Sequence, residues 1–171
     1  METGRRKCEV TEMTENTASR MPIKVPPYKH QKKAFAFACE KFGVFDNCPK
    51  SRGTALLMEM GTGKTLVSIA IAGTMYRSGR IRRVLIVAPL SILGVWEEEF
   101  AKFAAFPYSL TVLQGTVAKK KEQLAKRPDS GLQVVVVNYE SAWRLEKDLL
   151  TYDADLIIAD EAHKLKDSRT S

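Results

Sequence analysis

Two short stretches of this chain carry residue types able to do chemistry. The first, Met58-Glu59-Met60-Gly61-Thr62-Gly63-Lys64-Thr65, joins an apolar run to a helix-like one. Glycine tolerates positive φ and lets backbone N–H groups approach an anion. A helix opening at Lys64 would aim its positive end at the same place. Lys64 would then reach the β- and γ-phosphates of a nucleotide, while Thr65 offers Mg²⁺ a hard oxygen ligand. A complete phosphate-loop pattern has glycine where Met58 stands, but the Gly-x-Gly-Lys-Thr core is intact. The plain alternative is a glycine turn before an ordinary helix with a surface lysine. The second stretch, Leu156-Ile157-Ile158-Ala159-Asp160-Glu161-Ala162-His163, puts two carboxylates at the end of an apolar run. A partly buried carboxylate needs a cation or a proton to handle. Asp160 suits a Mg²⁺ shell, and Glu161 suits orienting or deprotonating an attacking water. Its plain alternative is an exposed acidic turn capping the next helix.

Each stretch is the other's best support, provided that Lys64 and Thr65 share a pocket with Asp160 and Glu161 at the carboxyl edge of neighbouring parallel strands. The intervening pattern predicts such a sheet. Apolar runs at Thr54–Met58, Val84–Ala88, Leu110–Leu113, Gln133–Val137 and Leu156–Ala159 read as five strands. Helix-like stretches alternate with them at Lys64–Arg77, Ile92–Phe103, Val117–Arg127 and Ser141–Leu150. Continuous apolar strands between helices imply an α/β fold, a parallel sheet sandwiched by helices. Right-handed crossovers place active loops at the C-terminal strand ends. Upstream, Ala34, Phe35, Ala38 and Phe42 recur at helical spacing within Tyr28–Phe42, and Gly43–Gly53 reads as a loop. Residues 1–21 are polar and aperiodic, which predicts a disordered tail ahead of a single domain over 22–171.

The 171 residues suffice for one domain with its own core. No apolar run approaches the ~20 residues of a bilayer span, and the N-terminus lacks the apolar core of a secretory signal. No membrane partner is expected. Cys8, Cys39 and Cys48 lack metal-ligand spacing and read as reduced thiols of a cytoplasmic protein. The net charge of +7 suits a polyanionic partner or simply a solvated basic surface. Lys119-Lys120-Lys121, with Lys126 and Arg127, could touch a phosphate backbone but reads first as a solvated helix face.

These residues resemble the superfamily-two helicases and, within them, the Swi/Snf-type DNA translocases. Asp160-Glu161-Ala162-His163 resembles the Asp-Glu-x-His box of that superfamily. Lys164-Leu165-Lys166-Asp167 resembles the Swi/Snf extension of the box, with Asp167 in place of the usual asparagine. Leu85-Ile86-Val87-Ala88-Pro89-Leu90-Ser91-Ile92-Leu93, with Trp96, Glu99 and Phe100, is similar to the Pro-x-Ser-x-x-x-x-Trp-x-x-Glu segment. Val134–Glu140 is similar to the strand ending Thr-x-Tyr-Glu, and Pro27-Tyr28-Lys29-His30-Gln31 to the upstream glutamine motif. Met58 and Thr62 depart from the family's loop, and Met-Gly-Thr-Gly-Lys-Thr also resembles helicase subunits of restriction enzymes.

The resemblance implies a RecA-like phosphate-loop NTPase lobe that binds ATP and Mg²⁺ and works on double-stranded DNA. It assigns nucleotide binding to Tyr28, Gln31, Met60, Gly61, Thr62, Gly63, Lys64 and Thr65. Thr65 and Asp160 are the metal ligands, Lys64 and Glu161 the catalytic residues, and His163 couples the nucleotide site to DNA. Pro89, Ser91, Asn138 and Tyr139 are implied DNA contacts, whereas Trp96 reads as core packing. Gln31 has a plain alternative as a polar residue on the first helix. In this family the ATP site faces a second lobe whose arginines stabilise the transferring phosphoryl group. The chain is therefore expected to be a single truncated lobe, a weak or inactive ATPase alone, placed with the nucleoid in a bacterium or virus and in the nucleus of a eukaryote. Two alternatives stay open: a restriction-type or RNA helicase lobe, and a nucleotide-gated binding module that does no chemistry. A phosphate-loop kinase is disfavoured by the distance to the acidic box and the lack of a lid-like arginine cluster.

Overall fold

The structure, a computed structural model, describes residues 21–162 except 60, 127 and 129. The predicted tail, apart from Met21, lies outside the described residues. So do Met60, His163 and the Lys164–Asp167 extension. The described chain forms two compact units.

The first unit comprises residues up to 78 together with 102–106. Helix α1 (Lys29–Lys41) buries Gln31, Phe35, Ala38 and Cys39, the i, i+4, i+7, i+8 stripe of an amphipathic helix. Helix α2 (Lys64–Arg77) is apolar nearly all round and buries nine of its residues from Leu66 to Met75, so it is an interior helix. The two helices pack on each other. Pro22 to Lys24 runs antiparallel to 103–105, with Lys24 N–H donating to the Phe103 carbonyl at 2.8 Å and Ala105 N–H to the Pro22 carbonyl at 3.0 Å.

The second unit, residues 79–101 and 107 onward, holds the sheet. Strands β1 (Arg83–Ala88), β2 (Tyr108–Val112), β3 (Leu132–Asn138) and β4 (Leu156–Ala159) form a four-stranded sheet in the order β2-β3-β1-β4, with every neighbouring pair parallel. The chain passes from β1 through a 3₁₀ turn (Leu90–Ile92) and α3 (Leu93–Phe103) to β2. It returns through α4 (Val117–Ala125) to β3, then runs through α5 (Tyr139–Arg144) and α6 (Glu146–Tyr152) to β4. One face of the sheet carries a core of Leu85, Val135 and Val137 with Leu113, Leu124 of α4, Leu145, and Leu149 and Tyr152 of α6. Pleat alternation puts Val84, Ile86, Val134 and Val136 on the opposite face, and all four are buried. Each fully buried apolar side chain contributes about 1.5–3 kcal/mol relative to exposure.

The predicted α/β fold with a parallel sheet and intervening helices is what forms. Its number of strands is corrected. Thr54–Met58 joins no strand ladder; Met58 N–H turns back onto the Leu56 carbonyl at 3.0 Å, and Leu57 is 96% exposed. An apolar run marks capacity for a strand, but pairing needs a non-local partner that composition does not specify. The predicted helix Ser141–Leu150 is two helices, α5 starting at Tyr139 and α6 ending at Tyr152. Edge strand β4 is not covered on both faces, for Ile157 is 63% exposed.

Candidate functional site

In the first unit the glycine loop is held in a defined shape. Gly61 (φ +76°) and Gly63 (φ +84°) both lie in the left-handed region, which costs L side chains roughly 1–2 kcal/mol and glycine nothing. Gly63 also has no room for a side chain, since a Cβ there would stand 2.3 Å from Gln31 Nε2. Helix α2 opens directly after it, with Lys64 and Thr65 as its first two residues. The Lys64 ammonium donates to the Met58 carbonyl at 2.9 Å and the Glu59 carbonyl at 3.1 Å. The Thr62 hydroxyl donates to the same Glu59 carbonyl at 2.6 Å. Lys64 thus curls the preceding chain around its own cation. A polyphosphate is a stronger, charged acceptor for that ammonium than two neutral carbonyls.

Gln31 is buried and both ends of its amide are engaged. Its Oε1 accepts the Tyr28 N–H at 2.9 Å, fixing the start of α1, and its Nε2 donates to the Thr62 carbonyl at 3.1 Å. His30 reaches that carbonyl as well, with Nε2 at 2.9 Å; because a carbonyl only accepts, this nitrogen carries the hydrogen. The ring of His30 stacks on exposed Tyr28, with centroids 5.9 Å apart and planes 13° from parallel. The glutamine motif and the glycine loop are therefore one hydrogen-bonded assembly centred on Thr62. Sequence reasoning counted His30 inside the motif without giving it a role. Its position one residue before Gln31 was the available signal.

In the second unit the acidic pair ends β4. Asp160 N–H donates to the Val87 carbonyl of β1 at 2.9 Å, extending the ladder by one bond. The Asp160 carbonyl accepts the Tyr139 hydroxyl at 2.6 Å. Glu161 then turns with φ +51°, a left-handed conformation rare for a residue with a Cβ. Both acidic residues are half-buried. Burial, and then the carboxylates of Asp160 and Glu161, push the Tyr139 phenol above its ordinary range. The start of β4 is fixed by Asp155, whose carboxylate accepts the N–H groups of Arg82 and Arg83 at 2.7 and 2.9 Å.

Of the implied DNA contacts, Ser91 is exposed and Pro89 half-buried, at the turn that leaves the C-terminal end of β1. Asn138 is buried at the end of β3, and the proton of the Tyr139 hydroxyl is engaged by Asp160. The basic helix α4 is tied into its own unit: Lys120 donates to the Ser141 hydroxyl at 2.6 Å and Lys121 pairs with Asp148 at 3.0 Å. Trp96 is 2% exposed beside Phe100, a core residue as expected. Among the described residues no group of three or more His, Cys, Asp or Glu side chains could hold a metal, and no helix is long and apolar enough to cross a membrane.

Comparison with known proteins places this geometry in a family context. The family model of the SNF2-related domain matches residues 12–171. Protein CHROMATIN REMODELING 25 of Arabidopsis thaliana is 30% identical over 152 residues, 82% of this chain and 16% of that protein. DNA repair and recombination protein RAD54 of Oryza sativa subsp. japonica is 32% identical over 152 residues, 82% of this chain and 15% of that protein. Among solved structures, the Sulfolobus solfataricus SWI2/SNF2 ATPase core in complex with dsDNA matches with a TM-score of 0.66 and 25% identity, over 88% of this chain and 29% of that one. The chain thus spans less than a fifth of these curated relatives' length and under a third of the solved ATPase core.

Proposed function

We propose, from the premise that this chain belongs to the SNF2-related domain family, that it is the ATP-binding RecA-like lobe of a motor that couples ATP hydrolysis to movement on duplex DNA. The carrying observation is the Gly61–Thr65 loop, with two left-handed glycines leading directly into the N-terminus of an interior helix. That backbone presents N–H groups and a helix dipole to an anion. The alignment of a double-stranded DNA complex with this chain, and of relatives named for DNA repair, favours DNA over RNA as the track.

In this reading Lys64 exchanges its carbonyl partners for the β- and γ-phosphates. Gln31, with Tyr28 and His30 stacked beside it, reads the adenine end. The donors on offer fit Mg²⁺, a hard cation that takes oxygen ligands and that Thr65 and Asp160 would hold. Thr65 supplies a hydroxyl and Asp160 a carboxylate of that kind. When bound, the ion neutralises charge on the β- and γ-phosphates. Glu161 orients a water for attack on the γ-phosphorus and takes its proton as the bond to the β-phosphate oxygen breaks. His163 couples that event to DNA, and Pro89, Ser91 and Asn138 line the track. Arginines from a second lobe would raise the rate by about 10³–10⁵. We therefore place rapid turnover, and movement itself, in a longer protein or assembly at the DNA of a nucleus or nucleoid.

The test uses a fluorescent N-methylanthraniloyl ATP. Lys64→Ala should weaken Mg²⁺-dependent binding by about tenfold or more, the loss of one charge-assisted contact. Equal affinity in wild type and variant would sink the nucleotide reading. In a full-length parent, Glu161→Gln should retain binding and lose DNA-stimulated hydrolysis. Intact biological activity of that parent would instead favour a binding module that does no chemistry.

A further inference from the structure

We infer that Tyr139 is a positioning residue for the acidic turn: its phenol fixes the Asp160–Glu161 peptide so that both carboxylates are presented in one set geometry. The inference rests on the roles proposed above for Asp160 and Glu161.

Asp160 is held by its backbone from two sides. Its N–H is bonded to the Val87 carbonyl of β1, and its carbonyl to the Tyr139 hydroxyl at 2.6 Å. Tyr139 is the first residue of α5, directly after β3, so the phenol reaches Asp160 from beside a strand two places away in the sheet. The Asp160 carbonyl lies in the same rigid peptide plane as the Glu161 nitrogen, so holding that carbonyl fixes the plane about which Glu161 turns. That φ is +51°, in a region a residue with a Cβ seldom adopts. Such a conformation persists where its surroundings over-determine it, and it concentrates at functional sites. The phenol is a side chain that the structure places on that peptide. A phenol has one hydrogen to donate, and a DNA phosphate oxygen only accepts. The proton that holds Asp160 therefore cannot serve a phosphate at the same time, which separates this role from the DNA contact that the Thr-x-Tyr-Glu resemblance implies.

The experiment is a titration of N-methylanthraniloyl ATP with the 171-residue chain at increasing MgCl₂, and in EDTA, for wild type, Tyr139→Phe and Lys64→Ala. Tyr139→Phe should raise the MgCl₂ midpoint about fivefold, the range of one net hydrogen bond. Its affinity in EDTA should equal that of wild type. An unchanged midpoint, with binding still weakened by Lys64→Ala, would overturn the positioning role and leave the proposed function standing. Equal losses with and without MgCl₂ would also overturn it, since they would mark Tyr139 as packing. Nucleotide binding indifferent to Lys64→Ala would remove the proposed function, and the inference with it. Should Tyr139→Phe fail to melt cooperatively, 3-fluorotyrosine at position 139 keeps the ring and strengthens the donor. A lowered midpoint then supports the role, and an unmoved one overturns it.

Discussion

Gly63 joins two demands that only glycine meets. Its φ of +84° is left-handed, and a Cβ would sit 2.3 Å from the Gln31 amide nitrogen that braces the Thr62 carbonyl. Gly63→Ala is expected to cost about 1–3 kcal/mol from backbone strain alone. It should also displace Gln31, so that nucleotide affinity falls more than the thermal midpoint does. A melting curve together with a binding titration checks both parts. Cys39 gives a second residue-level expectation. Burial pushes its thiol up to about 12, so at pH 8 it stays protonated, with a thiolate fraction on the order of 10⁻⁴. Cys48 is exposed. Peptide mapping after brief iodoacetamide treatment of the folded protein should find Cys48 alkylated and Cys39 untouched; labelling of both at similar rates would show that Cys39 is not held inside the first unit.

At the scale of elements, α2 shows why helix propensity is a weak guide in a packed interior. Gly73 sits in the middle of this helix, where alanine is intrinsically better by roughly 1 kcal/mol. A Cβ there would stand 2.2 Å from the Phe106 ring and 2.7 Å from Pro22, neither of which is a flexible chain end. Overpacking of this kind costs about 1–3 kcal/mol, so Gly73→Ala should lower the melting temperature despite its better propensity. A stabilised variant would show that Phe106 can move aside. The acidic turn is likewise the product of several elements. β1 and α5 each contribute one bond to Asp160, and Asp155 pins the opposite end of β4 to the start of β1.

At the scale of the whole molecule the basic excess becomes testable. Residues 1–53 hold 11 Lys and Arg against 6 Asp and Glu, so much of the +7 charge lies ahead of the glycine loop. Binding to a fluorescent 20-bp duplex should be weak and indifferent to base sequence. It should fall about tenfold or more as NaCl rises from 50 to 200 mM, as expected if a few phosphates are neutralised. Anisotropy insensitive to salt would argue against a phosphate contact. Lys120 and Lys121 are already engaged within the second unit, so this salt dependence should survive their replacement by glutamine.

Much of the fold and of the site was legible in the residues because it depends on local chemistry. Gly61 and Gly63 announce positive φ, a lysine and threonine at a helix start announce groups able to hold a phosphate, and Val134–Val137 and Val84–Val87 announce buried parallel strands. Tertiary structure alone decided what depends on partners distant in sequence. It left Thr54–Met58 outside the sheet, because a strand exists only where another offers its ladder. It gave the Tyr139 hydroxyl to the Asp160 carbonyl, a bond across 21 residues that no local pattern encodes. It likewise tied His30 and Gln31 to Thr62, three residues of two separate motifs meeting at one carbonyl. Residue types determine which groups can bind a phosphate or handle a proton; the packing of strands and helices selects which of those groups meet.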